Sequence, residues 1–276
     1  MSRFVSPTIF LFAIALASLL LNSYAHAGNF EVSPIRVDFD STTRSSVLTI
    51  RNVSSDESVV VQARIVKWTQ SNGEDVTATT TDLIVNPPIF TLTPNGTQLV
   101  RLGPRDAALA QGSSNELSYR IILSEVPKAP TPDFRGVGIA LNLSVPVFFA
   151  PNGSADQPLP EIVTSRDAEG RVVATVTNSG TKSFKVTKLA LTNTTSKETL
   201  EELTQVRYLL PGSKATWSFK PKLPAPANFS VSITSERGVH SVDIKETRVG
   251  ILSRQAPLIE NIGGDAVAAK PKQSGS

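Results

Sequence analysis

The chain has 276 residues, with 27 lysines and arginines against 24 aspartates and glutamates, and it contains no cysteine. A net charge of +3 without a cluster of basic residues argues against a nucleic-acid partner. The lack of cysteine excludes disulfides, thiol catalysis and cysteine-bound metal, and two histidines, His26 and His240, are too few for a histidine metal cluster. Acidic pairs such as Asp38 and Asp40 lie on predicted loops and are most simply solvated turn residues, so we expect no metal site.

The N-terminal segment predicts a secretory signal peptide over residues 1–27. Arg3 precedes an apolar run at 9–21, and Ala25-His26-Ala27 supplies small residues before the cleavage point. The run is too short for a membrane-spanning helix, and no later run is long and apolar enough to be one. We expect an exported chain without membrane insertion.

Beyond the signal peptide, nearly every periodic segment alternates apolar and polar residues, as strands with one buried face do. The alternating apolar positions are Ile35, Val37, Phe39, Leu48, Ile50, Val59, Val61, Ala63, Ile65, Leu117, Tyr119, Ile121, Leu123, Val172, Ala174, Val176, Phe184, Val186, Trp217, Phe219, Phe229, Val231 and Ile233. Short strands separated by Gly, Pro, Asn and Ser predict an all-β, antiparallel sandwich architecture. Two helix-compatible stretches, Arg105–Gln111 and Ser196–Leu203, have no long apolar stripe, and we expect them to be connections.

A weak repeat predicts two domains of one kind. Asn52 and Asn178 each end a strand before a turn, and each half then has a Pro-Gly turn, at Leu92–Gly96 and Leu209–Gly212. We place the first domain at 28–150, the second at 151–250 and a flexible tail at 251–276.

The longest alternation lies at the end of the first domain, over Val137–Val147. Its apolar positions are Val137, Ile139, Leu141, Leu143, Val145 and Val147, and the residues between them are small or polar. Such a strand presents one continuous aliphatic face. That face is either the core side of its own sandwich or a template for another chain.

Enzyme motifs are missing: the sequence has no GxSxG, GxxxxGK[ST], HExxH or GxGxxG. His240 follows a predicted turn, and an exposed loop histidine is the simplest interpretation. We expect a binding protein that is not an enzyme. One kind of binding protein to consider is an exported adhesion or carbohydrate-binding module. Such a module would need exposed aromatic platforms, and the chain has few Trp and Tyr residues to build them.

Four segments resemble periplasmic pilus-assembly (fimbrial) chaperones. They are Asn29–Phe39, Leu92–Leu102 with its Pro-Asn-Gly turn and Val-Arg-Leu, Leu117–Pro127 ending Glu-Val-Pro, and Gly136–Pro151 ending Val-Phe-Phe-Ala-Pro. The resemblance covers 28–250 and is specific in the first domain.

The resemblance implies two immunoglobulin-like domains in tandem and a chaperone that acts in the periplasm. Such a chaperone donates its seventh strand to a pilin subunit lacking its own last strand, and passes the subunit to an outer-membrane usher without ATP or a cofactor. On this basis we expect Val137, Ile139, Leu141 and Leu143 to be the donor residues.

The family also binds the subunit's terminal carboxylate with two cations, and Arg36 matches the first of them. A guanidinium suits bidentate binding of a carboxylate. The second position falls on Pro146, or on Ser144 in a shifted register, and neither is basic, which is typical of the divergent, archaic branch. Arg120, on the adjacent predicted strand, is our candidate for the second cation; a surface ion pair with Glu116 or Glu125 is the alternative.

The resemblance further implies an interdomain salt bridge. Arg101 and Glu116 match two of its members, and Glu236 is our candidate for the third. A buried pair of this kind contributes to specificity more than to stability.

Overall fold

The computed structural model describes residues 30–106, 108–109, 113–127, 139–153, 160–220 and 228–245. The predicted signal peptide, the predicted tail and Val137 lie outside these ranges. Within the ranges the chain folds into strands, with no α-helix. No helix long and apolar enough to cross a membrane occurs in the part of the chain that is described.

The first ten strands build one domain. They are β1 (Phe30–Ser33), β2 (Val37–Phe39), β3 (Ser46–Asn52), β4 (Val59–Ser71), β5 (Glu74–Thr79), β6 (Leu83–Asn86), β7 (Ile89–Leu92), β8 (Thr97–Pro104), β9 (Leu117–Glu125) and β10 (Asn142–Phe149). One sheet has the order β1-β3-β8-β6, and the other has the order β2-β10-β9-β4-β5, with β7 also paired to β4.

The remaining seven strands build the second domain. They are β11 (Glu161–Arg166), β12 (Val172–Thr177), β13 (Phe184–Asn193), β14 (Thr199–Leu209), β15 (Lys214–Phe219), β16 (Asn228–Ser235) and β17 (Gly238–Lys245). Its sheets have the orders β11-β12-β15 and β14-β13-β16-β17. Each domain has its own apolar core, so the all-β, two-sandwich prediction is confirmed.

The cores follow from the period-two pattern, because alternate residues of a strand face the same side. Leu48 and Ile50 of β3 and Val61 of β4 are fully buried in the first core, and Val172 and Ala174 of β12 in the second. Nearly all the alternating positions named above lie inward in this way.

Two sequence-based expectations need correction. Ile35 does not continue the alternation of Val37 and Phe39, because it lies before β2, where the chain crosses between sheets, and its side chain is 76% exposed. The stretch Ser196–Leu203 is not only a connection, because β14 begins at Thr199. β14 is an edge strand with register shifts against β13, so it needs no regular apolar alternation.

Both domains contain the same buried asparagine corner. The Asn52 Nδ2 donates to the carbonyls of Glu57, Leu92 and Thr93 at 2.7, 3.3 and 3.1 Å, and its Oδ1 accepts from the Ser54 amide. In the second domain, the Asn178 Nδ2 donates to the carbonyls of Lys182 and Leu209 at 3.0 and 2.9 Å. Each asparagine therefore ties the end of one strand to the residue before the Pro-Gly turn.

Candidate functional site

Exposure along the last strand of the first domain changes from one end to the other. Ile139, just before β10, is 89% exposed. Leu141 and Leu143 are half-buried against the domain core, and Val145 and Val147 are buried inside it. Burial of the aliphatic side chains therefore decreases from Val147 toward Ile139, and the Ile139 side chain is exposed to solvent.

The same region is open along one backbone edge. On one side β10 pairs with β9 over Asn142–Phe149. On the other side β2 pairs with β10 only at Val147–Phe149, in parallel orientation. Within the described residues, no strand lies beside 142–146 on that side, so the strand can accept another one there.

The edge is open because the N-terminal chain divides between the two sheets. β1 pairs with β3 in the opposite sheet, and the chain crosses over at residues 34–36 before β2 begins. β2 then has only three residues, too few to cover the length of β10.

Arg36 lies immediately before β2, facing the junction between the domains. Its Nε and Nη2 donate to the Asp38 carboxylate at 2.9–3.0 Å, and its Nη1 is 3.5 Å from the Glu236 Oε2 of the second domain. The guanidinium carbon lies 4.5 Å from the centre of the Phe148 ring. Burial alone would lower the pKa of Arg36, but the hydrogen bonds and charge of Asp38, with the charge of Glu236, outweigh burial and raise it.

Arg120 lies on β9, directly opposite Pro146 of β10. Its Nη1 donates to the Ser144 Oγ at 3.2 Å and its Nη2 to the Asp75 carboxylate at 3.0 Å. The guanidinium also stacks on Trp68, 3.7 Å from the ring centre. Burial lowers the pKa of Arg120, and the charge of Asp75 opposes part of that effect. Arg120 thus stands beside both positions where the resemblance would place the second cation.

An aromatic cluster at the domain junction connects the two arginines. Trp68 and Phe148 of the first domain are buried against Leu210 and Tyr208 of the second. The Tyr208 ring centre is 5.6 Å from that of Trp68 and 5.5 Å from that of Phe148. Because Arg36 lies over Phe148 and Arg120 over Trp68, both cations rest on one interdomain platform.

The residues expected to form the interdomain salt bridge do not come together as a triad. Arg101 is exposed on β8, opposite Val47 and Asn86, and forms no ion pair with another described residue. It faces solvent because it alternates along β8 with buried Val100 and Leu102. Glu236 pairs instead with Arg36, which reaches the junction from immediately before β2.

Glu116 lies at the junction and is 5% exposed. Its Oε1 accepts from the Ser183 amide of the second domain at 3.0 Å, and its backbone amide donates to the Thr181 carbonyl at 2.8 Å. Burial raises the pKa of Glu116, and the bonds from Ser183 and the charges of Arg36 and Lys182 oppose this only in part. Glu116 therefore connects the domains mainly through hydrogen bonds.

Several residues of this site escaped the sequence-based interpretation. Asp38 could have been found, because residues two apart in a strand share a face with Arg36. Trp68, Asp75 and Tyr208 could not, since they come from distant strands and carry no local motif. Trp68 lies on the face of β4 opposite to the core residues Val61 and Ala63, and it is buried because the second domain covers that face.

The competing functions receive no support from the described residues. Trp68, Trp217 and Tyr119 are buried and Tyr208 is half-buried, so none of them forms an exposed aromatic platform for a glycan. His240 is half-buried on β17 and not in an exposed loop, which corrects our expectation, and its Nε2 has no hydrogen-bond partner.

The fold is similar to that of known two-domain chaperones. The structure is similar to one chain of the CsuC–CsuE chaperone–tip adhesion subunit complex from archaic chaperone-usher pili of Acinetobacter baumannii, with a TM-score of 0.57 and 18% identity, covering 80% of this chain and 100% of that one. It is also similar to one chain of the Salmonella enterica SafA pilin–SafB chaperone complex, with a TM-score of 0.55 and 15% identity, covering 80% of this chain and 97% of that one. At these identities the likeness concerns the fold.

Sequence comparisons lead to the family. Residues 29–155 match the pili and flagellar-assembly chaperone, PapD N-terminal domain, model. The chain is 29% identical over 154 residues to the chaperone protein LpfB of Salmonella typhimurium, covering 55% of this chain and 60% of that protein. The chaperone called probable fimbrial chaperone LpfB in Escherichia coli O157:H7 is 27% identical over 143 residues, with 51% and 58% covered. The chain thus spans about three fifths of these relatives' length. Its first domain, over residues 29–155, matches the pilus-assembly chaperone domain, as the four segments predicted.

Proposed function

We propose that this protein is a periplasmic chaperone that caps pilin subunits by donating the outer part of β10, and that it delivers them to an outer-membrane usher. The donor residues are Ile139, Leu141 and Leu143, together with Val137, which lies outside the described residues. The observation that carries the proposal is the open backbone edge beside a row of incompletely buried aliphatic side chains.

The physical basis is the complementarity of two incomplete sheets. A subunit that lacks its last strand has unpaired backbone groups and an open apolar groove. The free side of 142–146 supplies main-chain partners, and alternate side chains fill the groove. Burying each aliphatic side chain contributes roughly 1.5–3 kcal/mol before the costs of ordering are subtracted.

Arg36 and Arg120 are positioned to bind the carboxylate at the end of the guest strand. Asp38 occupies the Nε and one Nη2 hydrogen of Arg36, which leaves other donors of the guanidinium for a guest. Glu236 lies 3.5 Å from the Arg36 Nη1. An incoming carboxylate would therefore either share the Arg36 guanidinium with Glu236 or displace Glu236 from it. The membership of this chain in the archaic branch stays a prediction that the non-basic Pro146 favours.

The decisive test changes the exposed donor residue. Ile139→Asp should leave the fold intact, because that side chain is 89% exposed, and should abolish capture, because the carboxylate would be buried unpaired in the guest's groove. The measurement is the yield of a co-expressed pilin subunit in the soluble periplasmic fraction. Leu141→Asp should behave in the same way, with some loss of stability because Leu141 is half-buried.

Val239→Asp is the matched control, because Val239 is an exposed aliphatic residue on the last strand of the other domain. It should leave capture unchanged. Normal subunit yield with both Ile139→Asp and Leu141→Asp would contradict the donor assignment.

A further inference from the structure

Tyr208 belongs to the second domain but inserts its ring into the platform that carries both arginines. The ring is nearly perpendicular to that of Trp68, at 85°, and inclined at 45° to that of Phe148. Trp68 is the ring beneath Arg120, and Phe148 is the ring beneath Arg36. The guanidinium carbon of Arg36 also lies 5.9 Å from the Tyr208 ring centre.

The backbone around Tyr208 is held to the first domain by a single side chain. The Gln70 Nε2 donates to the Tyr208 carbonyl at 2.8 Å, and the Gln70 Oε1 accepts from the Leu210 amide at 3.0 Å. These two hydrogen bonds hold the end of β14 against the first domain on both sides of Leu209. They therefore also fix the position from which the Tyr208 ring enters the platform.

We propose that Tyr208 is a positioning residue through which the second domain orients Arg36 and Arg120 toward one carboxylate of a guest strand. This inference rests on the proposed function. A long arginine side chain has many rotamers, and contact with an aromatic face limits them. The Tyr208 ring supports the two rings beneath these arginines, so the orientation of both cations depends on one residue of the other domain.

The consequence is that the second domain contributes to recognition of the carboxylate without contacting the donated strand. Removing the Tyr208 ring should free Trp68 and Phe148 to shift, and the two guanidinium groups with them. The apolar pairing along β10 should be unaffected, because Leu141 and Leu143 pack against the first core and not in the cluster that contains Tyr208. The loss should therefore be confined to the part of the affinity that depends on the guest's terminal charge.

The test uses the full chain and two acetylated hexapeptides of alternating threonine and valine, one ending in a free carboxylate and the other in a carboxamide. Binding of each is measured by NMR titration at low ionic strength, where charge contacts are least screened. The wild-type protein should bind the carboxylate form about tenfold more tightly, as expected for charge-assisted hydrogen bonds. Tyr208→Leu should reduce this preference to below about threefold, whereas Tyr208→Phe, which keeps the ring, should retain it.

Leu210→Ala is the control for a loosened domain junction, because Leu210 lies in the same cluster but has no aromatic ring to face either arginine. It should keep the wild-type preference. The inference is overturned if Tyr208→Leu keeps the tenfold preference, or if Tyr208→Phe or Leu210→Ala loses it as fully as Tyr208→Leu does. Equal wild-type affinity for the two peptides would overturn both the inference and the carboxylate anchor, whereas a wild-type protein that captures no pilin subunit would instead contradict the proposed function itself.

Discussion

The last strands of the two domains differ although the domains share a fold and a buried asparagine corner. Both β10 and β17 pair with the strand that precedes them, β9 and β16. β17 is an edge strand whose exposed residues Val239, Ser241 and Asp243 include a charge, which discourages pairing with another chain. The region leading into β10 instead exposes Ile139 and only half-buries the two leucines that follow. The sandwich supplies an edge in both domains, and the side chains on that edge decide whether it is suited to donation.

The largest effect on stability is expected at the inner end of β10. Val147 is fully buried, so Val147→Asp should lower the free energy of unfolding of the first domain by at least about 4 kcal/mol, or prevent folding. Chemical denaturation measures the loss. A well-folded Val147→Asp protein would show that the inner half of β10 is as dispensable to its own core as the outer half.

The asparagine corners should give the next largest effect, and nearly the same one in both domains. Asn52→Ala and Asn178→Ala each remove hydrogen bonds to buried backbone carbonyls, which should cost about 1–3 kcal/mol per domain. Denaturant unfolding followed through the separate transitions of the two domains tests this. A loss of stability in only one domain would mean that the two corners have the same geometry but contribute differently to the free energy of unfolding.

The domain junction should respond to pH through Glu116. Because burial raises its pKa in the folded state, the folded protein binds this proton more tightly than the unfolded chain does. The contribution of Glu116 is therefore greatest below the unfolded value of about 4.5, and it decreases as pH rises through the raised folded value. The effect should be on the order of 1 kcal/mol for each pH unit between the two values.

The measurement is the melting temperature of the wild-type protein and Glu116→Gln as a function of pH. Glutamine keeps an acceptor for the Ser183 amide but does not titrate, so the wild-type protein should lose stability relative to Glu116→Gln as pH rises through this range. A difference between the two proteins that does not change with pH would contradict the assignment.

The smallest effect on stability is expected at the two exposed aliphatic residues. Ile139→Asp and Val239→Asp should each change the free energy of unfolding by less than about 0.5 kcal/mol, because neither side chain is buried. Thermal unfolding of both variants checks this. A large loss of stability for Ile139→Asp alone would mean that the Ile139 side chain stabilises its own domain. The loss of subunit capture by this variant would then follow from unfolding and not from the loss of a donor residue.

Much of this molecule could be predicted from local pattern. Period-two alternation located most strands, because a half-buried strand needs one apolar face wherever it lies in the sandwich. The asparagine and Pro-Gly signals indicated two similar domains, because both act through turns of a few residues. β14 escaped prediction, since an edge strand with register shifts has little face to bury.

The strand pattern, the aliphatic row from Val137 to Val147 and the place of Arg36 beside an apolar strand can all be read from the local sequence. The exposed part of that row cannot, because it depends on how far the three-residue β2 covers β10. Long-range packing also turns Arg101 outward, brings Arg36 to Glu236 and places Tyr208 against the two rings beneath the arginines. Such contacts join residues sixty or more positions apart, where no short-range pattern carries information about which side chains meet.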